Sequence, residues 1–166
     1  MLFLKKLNPK KNVNNKYLKW MRNKKTHQFT EQRFEKFTLS KIKKFVIEKN
    51  KSPNEFLYGI FLNENKEHIG NIKLGPINFI HKRAYISYFI GNKKHTGNGY
   101  AKLAIKEIIK IAKKLKIKKL KAGCYSMNKS SIQVLKKNGF LIEGILRSEI
   151  IYKNKRRNGL LFGKIL

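Results

Sequence analysis

The chain has 166 residues, 41% of them hydrophobic and 11% aromatic, which suits one packed core and excludes a disordered tail. Lys and Arg total 40 against 9 acids, a net charge of +31 that attracts anionic ligands. No apolar run reaches the ~18 residues of a membrane span; Met1–Lys11 lacks a secretory core, and the single Cys124 excludes a disulfide framework or a Cys-rich zinc site. The expected compartment is the reducing cytoplasm.

In chain order, Met1–Leu7 reads as a first strand, and Val13, Tyr17, Leu18, Trp20 and Met21 have helical spacing. Thr38 has N-cap chemistry and opens a helix through Ile42, Phe45, Val46 and Ile47 to about Lys49. Phe56–Leu62 and His68–Leu74 read as a hairpin around Asn63–Lys66, punctuated by Gly75-Pro76. Ala84–Ile90 is a β-rich strand ended by Gly91. After Gly97-Asn98-Gly99, the residues Ala101, Ala104, Ile105, Ile108, Ile109, Ala112 and Leu115 keep a three-to-four step, with Lys on the other face. Lys119–Cys124 is a short strand, and Asn128–Asn138 a helix stopped by Gly139. Phe140–Tyr152 and Leu160–Leu166 read as strands joined by a Lys/Arg/Asn-rich turn. One domain over residues 1–166, a mixed α/β fold on one twisted sheet, is the expected architecture.

The basic charge has two readings. One is a footprint for nucleic acid or ribosome. The other is codon bias: Lys, Asn, Ile, Phe and Tyr are abundant, while Ala and Pro are scarce. The cations are 34 Lys and only 6 Arg, whereas Arg is the residue suited to bidentate phosphate and base contacts. The lysines also run along the whole chain. Codon bias is the better account, with non-specific polyanion binding as its side effect.

Two motifs carry chemistry. Thr96-Gly97-Asn98-Gly99-Tyr100-Ala101 leads from a strand into a helix, and such a turn gathers free backbone N–H groups at the positive helix end. It is not a Walker A loop, because no Gly-Lys-Ser/Thr follows, and Lys102 stands where a dinucleotide motif needs its third glycine. A tight turn would use the same glycines. Further on, Asn128-Lys129-Ser130-Ser131 opens a helix that ends at Asn138-Gly139-Phe140. Read alone, that is an N-cap and a glycine stop.

In this order and spacing the two motifs resemble the GNAT superfamily of acetyl-CoA-dependent N-acetyltransferases. The match is to its pyrophosphate loop, here Thr96–Ala101, and to its later Asn-x-x-Ser…Gly-Phe pattern, here Asn128, Ser131, Gly139 and Phe140. Gly70–Gly75, Ala84–Gly91 and Glu143–Arg147 resemble the branch of ribosomal-protein alanine N-acetyltransferases and amino-sugar-nucleotide acetyltransferases. The resemblance implies a GNAT fold: a mostly antiparallel twisted sheet with a splayed central strand and flanking helices. It implies acetyl-CoA as co-substrate. Phe89, Ile90 and Gly91 on the splayed strand would face the pantetheine arm. Thr96, Gly97, Asn98, Gly99, Tyr100 and Ala101 would hold the pyrophosphate. Asn128 and Ser131 would sit at the thioester.

The chain also departs from the family. Thr96 replaces a usual Gln or Arg, and Leu135 stands where many members carry a Tyr general acid; the resemblance to the alanine N-acetyltransferase branch, which has a Ser where Ser131 stands, implies the acid role for Ser131. The amine must lose a proton before it attacks. Candidate bases are Glu35, His27, His81 and Glu143, with Glu35 the expected catalytic partner of Ser131. No His pair has zinc spacing with a carboxylate, so no metal is expected. Cys124 reads as a small core residue.

The expected acceptor is a small-molecule amine, a nucleotide-linked amino sugar of surface polysaccharide. Gln32–Glu35 and Gly70–Asn78 favour it over a ribosomal-protein N-terminus or a polyamine. A homodimer is compatible with the sequence. The alternative of another class is a non-catalytic basic RNA-binding module, which would show exposed aromatics interleaved with Arg.

Overall fold

The computed structural model describes residues 1–166. Its seven strands are β1 (Leu2–Lys6), β2 (Phe56–Leu62), β3 (His68–Asn78), β4 (Arg83–Ile90), β5 (Lys119–Tyr125), β6 (Leu141–Tyr152) and β7 (Lys155–Ile165). They form one sheet in the order β1-β2-β3-β4-β5-β7-β6. Every neighbouring pair is antiparallel except β4–β5. The helices are α1 (Asn15–Arg22), α2 (Lys24–His27), α3 (Leu39–Lys51), α4 (Tyr100–Lys114) and α5 (Lys129–Lys136). The mixed α/β expectation is met.

Each face of the sheet has its own core. On one side Ala104, Ile105, Ile108 and Ala112 of α4, all fully buried, pack on Ile72, Leu120 and Phe162. Their 3.6-residue period turns Lys106, Lys110, Lys113 and Lys114 to solvent, where a surface helix places its charges. On the other side Tyr17 and Trp20 of α1, with Ile42 and Val46 of α3, cover Leu57 and Phe61 of β2.

The feature that makes a site is the join between β4 and β5. These strands pair only at Arg83–Lys119, Ala84–Leu120 and Tyr85–Lys121. Beyond Tyr85 they part, and the β5-facing backbone edge of Ile86–Ile90 has no sheet partner. The central strand is splayed, as expected. Unpaired strand edges seek a partner, and here the gap opens between the two cores.

Three boundaries differ from expectation. β7 begins at Lys155 rather than Leu160, because cross-strand pairs such as Ile150–Arg157 and Tyr152–Lys155 override the weak strand preference of Lys, Arg and Asn. The reversal shrinks to Lys153-Asn154, with φ of 49° and 57°. β3 runs past Gly75-Pro76 to Asn78 by way of an irregularity between Leu74 and Ile77, which accommodates a proline that cannot donate to the ladder. Lastly, α2 and a 3₁₀ turn at Glu31–Phe34 follow α1. Both are too short to show a hydrophobic period.

Candidate active site

The glycine turn lies at the far end of β4. Asn92 caps a 3₁₀ turn at Lys93–His95, and Gly97 follows with φ 87°. Gly99 is the N-cap of α4 with φ 79°, and no side chain caps the helix. The first N–H groups of α4 therefore stay free, which is the usual seat of a phosphate. A Cβ on either glycine would meet nothing within 4 Å, so the space in front of the turn is open. The residues present fit a pyrophosphate. Thr96 donates its N–H to Lys93, and the Asn98 side-chain amide donates to the Lys94 carbonyl, so both shape the turn. Gly91 donates its N–H to Ile69 and packs against the Trp20 ring. Its contribution is close packing below the turn.

Glu67 anchors this turn from β2's return. Its carboxylate accepts from Lys16 Nζ at 2.6 Å, Asn92 Nδ2 at 2.8 Å and His95 Nε2 at 3.1 Å. The hydrogen bond from Lys16, then those from His95 and the nearby positive charges, hold its pKa down at about 2. A carboxylate depressed in the fold adds stability that is complete above its unfolded value of 4.5 and is lost as pH falls toward about 2. Glu67→Gln should therefore lower the urea midpoint at pH 6, and the two proteins should converge near pH 2. A constant gap between them across that range would remove Glu67 from this role.

The second motif lies across the splay. Asn128 caps α5, its Oδ1 accepting from the Ser131 N–H at 3.2 Å. Ser131 Oγ is 2.9 Å from the hydroxyl of Tyr88 on β4. Burial pushes the Tyr88 phenol up to about 12, opposed by its bond to Ser131. Cys124, at the end of β5, is buried beside Ser131, and burial pushes its thiol pKa up, so it is no thiolate nucleophile. Leu135 is 1% exposed and belongs to the core.

A cavity of about 420 Å³ opens on the face of β3 and β4 covered by the N-terminal helices. Phe37, Phe45 and Phe89 form apolar walls, Lys41 brings a cation, Lys73 is paired with Glu55 at 2.5 Å, and Glu35 is the carboxylate. Tyr88 lines it too. Arg33 holds the Thr30–Glu35 segment over this cavity. Its guanidinium donates to the Tyr125 hydroxyl and to the Ile151 carbonyl at 3.0 Å, and it stacks 4.3 Å from the Phe34 ring. The Tyr125 hydroxyl in turn donates to Glu31.

The four candidate bases separate cleanly. Glu35 is exposed and lines the cavity. His27 lines it as well, but its Nε2 is sealed off with no hydrogen-bond partner, and burial pushes its pKa down. His81 sits in the exposed turn between β3 and β4. Glu143 pairs with Lys119 at 2.6 Å on the β6 edge. Neither of these last two lines the cavity. Arg33 lies in the Gln32–Glu35 stretch marked only by resemblance; Tyr88 had no motif of its own, and its only signal was its place on the strand expected to splay.

A family model described as "Acetyltransferase (GNAT) domain" matches residues 2–141. The chain belongs to the GNAT acetyltransferase family. "Probable N-acetyltransferase YjcK" of Bacillus subtilis (strain 168) is 33% identical over 115 residues, covering 68% of this chain and 60% of that protein. The chain thus matches less than two thirds of that relative's length. Two solved structures share the fold of this GNAT domain. The ribosomal L7/L12 α-N-protein acetyltransferase RimL, in complex with coenzyme A, aligns with a TM-score of 0.87 and 19% identity, covering 99% of this chain and 94% of that one. A spermidine N-acetyltransferase SpeG chimera from Vibrio cholerae and hSSAT aligns with a TM-score of 0.84 and 19% identity, covering 99% and 95%. No group of three or more His, Cys, Asp or Glu in this GNAT domain could hold a metal ion, and no helix is long and apolar enough to cross a membrane.

Proposed function

We propose that this chain transfers the acetyl group of acetyl-CoA to a primary amine on an anionic acceptor, a nucleotide-linked amino sugar. The cavity carries this reading. Three aromatic rings suit flat or ring-shaped ligands. Lys41 is the cavity's unpaired cation and Glu35 its one carboxylate, while the Lys73 ammonium at the wall is paired with Glu55 at 2.5 Å. A polyamine such as spermidine carries several positive charges and would need more than one free carboxylate. The net charge of +31 acts in the same direction, concentrating anions and repelling polycations.

The roles follow from position. The free N–H groups at Gly99, Tyr100 and Ala101 take the pyrophosphate, with Thr96, Gly97 and Asn98 shaping the turn. The unpaired edge of β4 through Phe89 and Ile90 receives the pantetheine arm and offers backbone N–H groups to the oxyanion. Asn128 orients α5 so that Ser131 reaches the thioester. Glu35 receives the first proton as the acceptor's ammonium becomes a neutral amine. The neighbouring Lys41 favours that loss, since like charges disfavour an ammonium.

Thiol release from acetyl-CoA should be measured against a UDP-linked amino sugar, spermidine and a ribosomal N-terminal peptide. The amino sugar should lead in kcat/KM by at least about tenfold, or about 1.4 kcal/mol. A lead by spermidine would defeat the charge argument.

A further inference from the structure

We propose that Arg33 is a positioning residue: it latches the strap of residues 28–35 across the splay and so holds the Glu35 carboxylate at the acceptor. The proposal rests on the role given to Glu35 above, and it assigns a role to a side chain that does not itself line the cavity.

The strap belongs to one half of the sheet and is anchored on the other. Strand alternation puts Asn71 and Lys73 of β3 and Ser87 and Phe89 of β4 on the cavity floor, in the cross-strand pairs Asn71–Phe89 and Lys73–Ser87. Thr30, Gln32 and Glu35 line the same cavity from the strap. Arg33, between them, reaches the other way. Its Nη2 donates to the Ile151 carbonyl of β6 at 3.0 Å, and its Nη1 donates to the Tyr125 hydroxyl at the end of β5. Tyr125 in turn donates to Glu31, and its ring packs edge-on against Phe29, with centroids 6.4 Å apart. Both anchors thus lie beyond the gap that opens after Tyr85.

The strap has little else to hold it. Its one regular element is the 3₁₀ turn Glu31–Phe34, which has no side-chain cap and no buried residue. Glu35 itself is exposed. Segments with few buried contacts open at low free energy, so a tie is needed to fix the carboxylate. A guanidinium suits that task. Its planar fork bonds two partners while its face stacks on a ring, here Phe34 at 4.3 Å, and a lysine ammonium cannot do both. Burial and the bond to Glu31 push the Tyr125 phenol up, so it stays protonated and keeps donating.

Thiol release from acetyl-CoA is measured with a UDP-linked amino sugar and with hydroxylamine, a small amine that is neutral at pH 7 and needs no base before it attacks. Arg33→Ala should keep acetyl-CoA affinity within about twofold by calorimetry, and its hydroxylamine rate within about threefold. With the amino sugar it should lose about 100-fold in kcat/KM, through a lower kcat as well as a higher KM. In a Glu35→Gln background the same change should cost under about threefold in kcat, because Arg33 acts through Glu35. Arg33→Lys should stay at least about tenfold below wild type. Tyr125→Phe keeps the ring packing and removes one arm of the latch, so it should lose about tenfold even if Arg33→Ala does not fold. Equal losses with both amines would make Arg33 a merely structural residue and overturn the proposal. So would a wild-type kcat/KM in Arg33→Ala or Tyr125→Phe beside an impaired Glu35→Gln, or kcat losses that multiply in the double variant. Wild-type turnover in Glu35→Gln would overturn the role of Glu35, and the latch's purpose with it. A wild-type protein that acetylates hydroxylamine but not the amino sugar would overturn the acceptor reading instead, and the positioning role would fall with it.

Discussion

Gly99→Glu should fold normally and lose acetyl-CoA binding by at least about 100-fold, or about 2.7 kcal/mol. Two costs combine. Gly99 has φ 79°, where any L side chain is strained by about 1–2 kcal/mol. The new carboxylate also stands where the free N–H groups of α4 meet a pyrophosphate, and like charges repel there. Gly99→Ala isolates the first cost and should weaken binding far less. Nothing lies within 4 Å of an added Cβ, so neither change disturbs packing. Calorimetric titration with acetyl-CoA, with circular dichroism as the check on folding, decides the matter. An unchanged affinity in folded Gly99→Glu would remove the coenzyme from this turn.

Phe162→Ala should cost about 3–5 kcal/mol of stability, a large share of the 5–15 kcal/mol typical of a domain. Phe162 is fully buried on β7, where it faces Ala122 on β5 and Ile142 on β6. Removing its ring leaves a hole beneath the strand that leads to Cys124 and the site. Phe79, 55% exposed in the turn after β3, is the control, and its change to Ala should stay within about 0.5 kcal/mol. Urea midpoints measure both. Equal effects would contradict the placement of the core.

Arg33 shows why parts of the site were hidden in the sequence. It reaches Tyr125 and Ile151, which lie 92 and 118 residues away along the chain. No period or local spacing encodes such a contact. The segment Gln32–Glu35 was legible only as a resemblance, and its position over the cavity depends on that clasp. The same holds for the choice of base. His27 and Glu35 look equally apt as residue types, but the fold seals the His27 nitrogen and leaves Glu35 open to the cavity.

The local signals were strong where a single element carries the information. The apolar period of α4, the N-cap chemistry of Thr38 and Asn128, and the glycines at 97 and 99 each follow from short-range sterics and hydrogen bonding. These residues located the long helices and the glycine turn and carried the family resemblance. Long-range pairing decided the rest: the extension of β7 back to Lys155, the parting of β4 from β5 after Tyr85, the lysine-bearing cavity, and the meeting of Tyr88 with Ser131 across 43 residues. Side-chain contacts between distant elements depend on how sheet twist and helix packing bring them together, and that is a property of the whole chain rather than of any one stretch.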